Sequence, residues 1–163
     1  MSKEQSANEL TKRIEEATPL QLTIINYELL LKSIEEARQT AAKSTHCAAA
    51  LDKARECLAQ LYTTLDMDIE FSKDLMDLYL FVNRSLIHAG IQRNEDEKNQ
   101  LLTDAAAIVT GLLNAWKTLD ADEHLLEKLV GKDAEQIIAG LTYGKDGKLE
   151  EFQDFDPSRG YKA

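Results

Sequence analysis

Three histidines, two cysteines and one short run of carboxylates are the side chains of this 163-residue chain that could do chemistry. A di-metal carboxylate centre in a helical bundle is built from Glu-x-x-His pairs. The residues three before His46, His88 and His124 are Lys43, Ser85 and Ala121, so no such pair exists. His46 and Cys47 are adjacent and do not converge as zinc ligands, and there is no Cys-x-x-Cys. Asp66, Asp68 and Glu70 open like a calcium loop, but Phe71 stands where that loop needs glycine. They read instead as negative charges at a helix N-terminus. His88 could serve a phosphorelay, yet Ala89, Gly90 and Ile91 supply none of the small-residue and lysine context of such sites. A solvent-facing His88 is the simpler reading. No glycine-rich phosphate loop or nucleophile–base pairing is visible. The expectation is a protein that is not an enzyme and needs no metal or cofactor. Cys47 and Cys57 fall ten positions apart on one predicted helix. At a rise of about 1.5 Å per residue they are too distant to pair, which predicts free thiols in a reducing cytoplasm.

The elements that carry these residues are helices. The composition is 44% apolar but only 6% aromatic, with 2 prolines and 7 glycines, which favours helix over sheet. A net charge of -10 disfavours nucleic acid and anionic membrane surfaces, and favours a partner with a basic or apolar face. No run of about 18 apolar residues predicts a membrane span, and the first residues lack the apolar core of a secretory signal.

Ala7, Leu10, Ile14 and Ala17 recur at helical spacing and predict a short helix over 6–17. Thr18, Pro19 and Gln21 then form a helix start, with Thr18 as N-cap and Gln21 closing a capping box. The main helices are predicted at about 19–42, 46–65, 70–91 and 95–119. Ser44 or Thr45 caps the second, residues 66–70 form a tight connector, and Asn94 caps the fourth. Short connections imply antiparallel neighbours. The predicted fold is all-α: an antiparallel four-helix bundle with a short N-terminal helix, an extra C-terminal helix and a tail. One domain is expected over 1–163, with 1–17 the N-terminal segment, 18–120 the bundle, 121–141 the additional helix interrupted at Gly131, and 142–163 the tail. Phe152, Phe155 and Tyr161 in that tail predict that it folds back over an apolar surface.

Two of the main helices are apolar on more than one side. At about 100° per residue, Phe71, Leu75, Leu78, Val82, Leu86 and Ala89 share one sector, read as the core face. Met76, Leu80, Asn83 and Ile87 form a second line, with Tyr79 between. In the first main helix Leu20, Ile24, Tyr27, Leu31, Ile34 and Ala41 make one face, and Leu22, Ile25 and Leu29 another. The other two helices carry single stripes: Leu51, Ala54, Leu58, Leu61 and Leu65, then Leu101, Ala105, Ile108, Leu112, Trp116 and Leu119. An exposed Leu or Ile forfeits about 1.5–3 kcal/mol relative to burial. Leu22, Ile25, Leu29, Met76, Leu80 and Ile87 therefore require cover. Either the chain's own terminal segments supply it, or a partner's amphipathic helix does.

The residues at 18–119 resemble the FliS family of flagellar export chaperones. Thr18, Pro19 and Tyr27 match its first helix, residues 64–68 (Thr-Leu-Asp-Met-Asp) its turn, and Leu78, Tyr79, Phe81, Asn83, Arg84, Leu86 and Ala89 its third helix. Trp116 and Lys117 match the end of its fourth. The chain departs at Leu29, where members often have glycine, and at residues 1–17, which contain no tyrosine. The resemblance implies a cytoplasmic chaperone that holds the disordered C-terminal segment of flagellin along apolar grooves and prevents premature polymerisation. The implied partner-binding residues are Leu22, Ile25, Leu29, Met76, Tyr79, Leu80, Asn83, Arg84 and Ile87, and the flagellar export gate is a further candidate partner. The competing reading is a structural or adaptor bundle whose stripes are covered by its own terminal helices.

Overall fold

The helices that begin behind Ser2, Thr18 and Asn94 follow capping residues. A computed structural model describes residues 2–122 and 124–144; Phe152, Phe155 and Tyr161 lie outside the described residues. Helix α1 (Lys3–Glu16) begins earlier than its apolar periodicity suggests, because Ser2 and Gln5 form a reciprocal capping box. Helix α2 (Pro19–Gln39) starts as the sequence predicts: Thr18 Oγ1 accepts from the Gln21 N–H, and Gln21 Oε1 accepts from the Thr18 N–H. Helix α3 (Ser44–Thr63) is preceded by Lys43 with no side-chain cap, so Ser44 and Thr45 lie inside the helix rather than capping it. Helix α4 spans Glu70–Ile91, and α5 spans Glu95–Ala121 behind Asn94, whose side chain accepts from the Glu97 N–H at 3.1 Å. Then come α6 (Leu125–Val130), a 3-10 turn (Gly131–Asp133) and α7 (Ala134–Leu141). Gly131, with φ of 82°, makes the break between them at an angle that other residues resist. The described residues contain no strand.

The four long helices pack in a ring, α2 on α3, α3 on α4, α4 on α5 and α5 on α2. Their core holds Leu30 and Ile34 of α2, Leu58 and Leu61 of α3, Leu75, Val82 and Leu86 of α4, and Leu102, Val109 and Leu113 of α5. Across the ring, the Tyr27 and Tyr79 hydroxyls share a short hydrogen bond. The Tyr27 ring lies 6.3 Å from Tyr79 and 6.4 Å from Trp116, centroid to centroid. A buried tyrosine needs such a partner for its hydroxyl. Burial accordingly pushes Tyr27 up to about 12 and Tyr79 well above the ordinary phenol range.

Three predicted faces are corrected. On α4, Phe71 and Leu78 are exposed, and Tyr79 takes the core position instead. The inward line is Ser72, Leu75, Tyr79, Val82, Leu86 and Ala89, rotated by a fraction of a turn from the predicted one. On α5 the buried line is Leu102, Ala105, Val109, Leu113 and Trp116, while Leu101, Ile108, Leu112 and Leu119 are only half-buried. On α2, Leu20 and Leu31 are half-buried, and Ala41 falls in the turn after the helix end. The stripe predicted for α3 is buried throughout.

The C-terminal segment is docked on this ring. The Asp66 N–H donates to the Gly140 carbonyl at 2.7 Å, tying α7 to the connector before α4. A Cβ on Gly140 would run into Ile69 Cδ1 and come within 3.0 Å of Asp66 Cβ. Gly140→Ala should therefore loosen the docking by about 1–3 kcal/mol. The expected readout is faster amide exchange across α7, with the melting of α2–α5 little changed.

Candidate partner-binding surface

Helix α4 is edged with apolar side chains on both sides of its buried line. Leu80 is 46% and Ile87 39% exposed; with half-buried Met76 and Asn83 they form one edge. On the helical wheel Phe71, Leu78 and Phe81 fall on the opposite edge, with Phe71 54% exposed. Ile91 continues the Leu80–Ile87 side at the helix end, where it borders a cleft of about 530 Å³ with His88, Gln92 and Leu101. The two apolar edges are separated by the exposed polar residues Lys73, Asp77, Arg84 and His88, and exposed apolar residues grouped in this way are candidates for an interaction surface.

The polar residues of the edge have definite neighbours. The Arg55 guanidinium of α3 donates to Asn83 Oδ1 at 3.4 Å, so Asn83 marks the α3 side of α4. Gly90 lies on this side too, against Leu51 of α3. Met76, Leu80, Asn83 and Ile87 thus run beside the α3–α4 seam. Arg84 is exposed next to them.

The remaining sequence-predicted site residues lie elsewhere. Tyr79 is buried in the core, where it bonds Tyr27, and presents no surface. Leu22 and Ile25 are buried beneath Ile14 of α1 and Tyr143, with half-buried Leu10, Ala17 and Leu29 around them. This α2 face is covered by the chain's own two terminal segments, which is the physical reason it is not an open groove. An ion pair from Arg13 to Glu28 at 3.0 Å holds α1 along α2. Sequence reasoning missed Phe71, Leu78, Phe81 and Ile91 as surface residues. The available signal was that α4 has more large apolar residues than one inward line can use.

Other features do not assemble a chemical centre. Among the described residues no group of three or more His, Cys, Asp or Glu could hold a metal ion. His46, His88 and His124 are all exposed and lie on three different elements. Cys47 and Cys57 are free and buried, and burial pushes the Cys57 thiol up to about 12. A cleft of about 690 Å³ lies between the start of α2, the end of α5 and the C-terminal helices, lined by Pro19, Leu20, Leu119, Leu126 and Ile138. No helix among the described residues is long and apolar enough to cross a membrane.

A ring of helices that holds one of its members with both edges apolar and open has the make-up of a helical protein-binding module. Residues 1–123 match the family model described as flagellar protein FliS, and the chain belongs to that family. It is a family of flagellar export chaperones rather than of enzymes, and it implies flagellin as a partner. The match includes α1 and ends before α6, so residues 124–144 lie beyond it. No curated protein matches the chain.

Proposed function

We propose that this chain is a cytoplasmic, single-domain antiparallel four-helix bundle that binds the disordered C-terminal segment of flagellin and keeps it from polymerising before export. The observation that carries this reading is the open apolar edge of α4: Leu80 and Ile87 stand in water beside the α3–α4 seam. The partner segment folds into an amphipathic helix on Met76, Leu80, Asn83 and Ile87, with Arg84 at the rim. Leu22, Ile25 and Leu29 form a second seat, reached when both α1 and the segment carrying Tyr143 lift from α2. Lifting exposes Ile14, Leu22 and Ile25, a cost that the partner's apolar helix offsets by covering the same face. The cost of ordering the partner keeps affinity moderate, which suits a cargo that must be handed on, with the export gate as receiver.

The adaptor reading is favoured by one observation, the cover that Ile14 and Tyr143 place over α2. It leaves both edges of α4 unexplained. The deciding experiment is titration calorimetry with a flagellin C-terminal peptide. Leu80→Asp and Ile87→Asp should each weaken binding by about tenfold or more, since a charge replaces an apolar anchor. Their melting temperatures should stay within a few degrees of the unmodified chain. Unchanged affinity in both variants would reject this surface as the seat.

A further inference from the structure

Residues 134–144 do more than extend the helical ring. They lie beyond the part of the chain that matches the family model, yet Leu141, Thr142 and Tyr143 are all buried against it. Tyr143 is 1% exposed. It reaches the face of α2 that Ile14 covers from the other end of the chain, and packs there with Leu22 and Ile25. Its hydroxyl accepts from Asn26 Nδ2, whose amide also donates to the Cys57 carbonyl at 3.0 Å. One buried asparagine thus ties together α2, α3 and the C-terminal segment. The Gly140 carbonyl bond to Asp66 is the second tie.

These ties join the segment to α2 and to the connector before α4, and Leu141 packs into the core with Ile137 and Ile138 beside it. Helix α7 has eight residues, too short to be stable unless docked. Gly131 breaks the chain ahead of it with a positive φ, a natural pivot. A short docked element behind a glycine break is the kind of unit that opens without global unfolding.

We propose that residues 134–144 are a releasable latch: Tyr143, seated on Asn26 over Leu22 and Ile25, holds the second partner seat on α2 closed until the partner's helix displaces it. This rests on the chaperone reading above and adds a control to it. The latch lowers apparent affinity by the fraction of molecules in which the seat is open, so a partner must out-compete Tyr143 rather than merely find the surface. Two segments guard the same face: α1 is held by the exposed Arg13–Glu28 pair, and residues 134–144 by the buried Asn26–Tyr143 bond.

The test uses the full chain carrying Cys47→Ala, so that Cys57 is the thiol reporter. Cys57 neighbours both Asn26 and Tyr143. Buried, its thiol titrates near 12 and is unreactive; exposed, it returns toward the ordinary range and labels quickly. Labelling by an aromatic disulfide reagent at pH 8 should proceed by local opening, with a rate nearly independent of low urea. Tyr143→Phe, which loses only the Asn26 bond, should label several-fold faster, and Tyr143→Ala at least about tenfold faster with helicity retained. The flagellin C-terminal peptide should bind Tyr143→Ala about tenfold more tightly and should speed amide exchange at 134–144 in the unmodified chain. Labelling with the steep urea dependence of global unfolding would overturn the latch. So would Tyr143→Ala labelling no faster, or peptide binding that leaves exchange at 134–144 unchanged or slower. Because labelling is measured without peptide, failure of the peptide to bind any of these chains would reject the chaperone reading separately.

Discussion

Leu86→Asp will leave this chain without its folded core, while Leu78→Asp, two turns earlier on the same helix, will fold. Leu86 is 1% exposed and packed inside the ring; Leu78 is 36% exposed. A carboxylate at position 86 would sit among the apolar side chains of the core and must either stay charged in a poor solvent or remain protonated. Either way the cost is several kcal/mol, added to the lost packing of a leucine. That approaches the whole stability of a typical domain, about 5–15 kcal/mol. At position 78 the carboxylate reaches water, and the loss is the residual burial of one leucine, about 1 kcal/mol. Circular dichroism at 25 °C should show a largely unfolded chain for the first variant. The second should melt within about 2–4 °C of the unmodified chain. A collapsed melt for Leu78→Asp would restore Leu78 to the core and undo the assignment of that edge of α4 as surface.

That pair of residues also marks where the sequence stopped being legible. The helices themselves were readable, because their starts are local chemistry. Thr18, Pro19 and Gln21 fix the start of α2, and Asn94 fixes that of α5, within a few residues of chain. The facing of α4 was not readable. Periodicity selects an inward line only when the rest of the helix is polar. Here Phe71, Leu78, Phe81, Leu80 and Ile87 are apolar in addition to the true line, so several sectors compete. What settled the rotation is Tyr79, whose hydroxyl meets Tyr27 across the ring. That pairing joins residues far apart in sequence, and nothing in either local segment announces it.

The candidate site divides along the same boundary. Met76, Leu80, Asn83 and Ile87 were legible as a second stripe because surplus apolar residues on one helix are a local signal. The fate of Leu22 and Ile25 was not legible. Their cover comes from Ile14 on one side and Tyr143 on the other, the latter more than a hundred residues along the chain. The tail was expected to begin at 142 and to cover an apolar surface. Thr142 and Tyr143, its first two residues, are buried immediately after α7. The aromatic residues on which that expectation rested, Phe152, Phe155 and Tyr161, lie outside the described residues.

Raising the pH from about 9 to about 12 will unfold the helical ring in one cooperative step. The cause is four buried groups that the fold keeps protonated. Burial pushes Cys57 and Tyr27 up to about 12, and pushes Tyr79 and Tyr143 well above the ordinary phenol range. In the unfolded chain these groups release their protons near the ordinary values of 9.0 for the thiol and 10.0 for the phenols. Above those values the unfolded state binds fewer protons than the folded one, so stability falls with rising pH. The stabilising contribution is fully present below the unfolded values and is lost as the pH climbs through the folded ones. Each group removes about 1.4 kcal/mol per pH unit in that window, or about 5 kcal/mol per unit once all four titrate. A domain of ordinary stability has nothing left by about pH 12. Absorbance at 295 nm from ionisation of Tyr27, Tyr79 and Tyr143 and ellipticity at 222 nm should therefore change together, well above pH 10. Tyr79→Phe removes one of the four groups and should flatten the pH dependence while costing the Tyr27 hydroxyl its partner. If the tyrosines instead ionise near pH 10 with helicity intact, the Tyr27–Tyr79 pair is open to solvent, and the core built around it is wrongly placed.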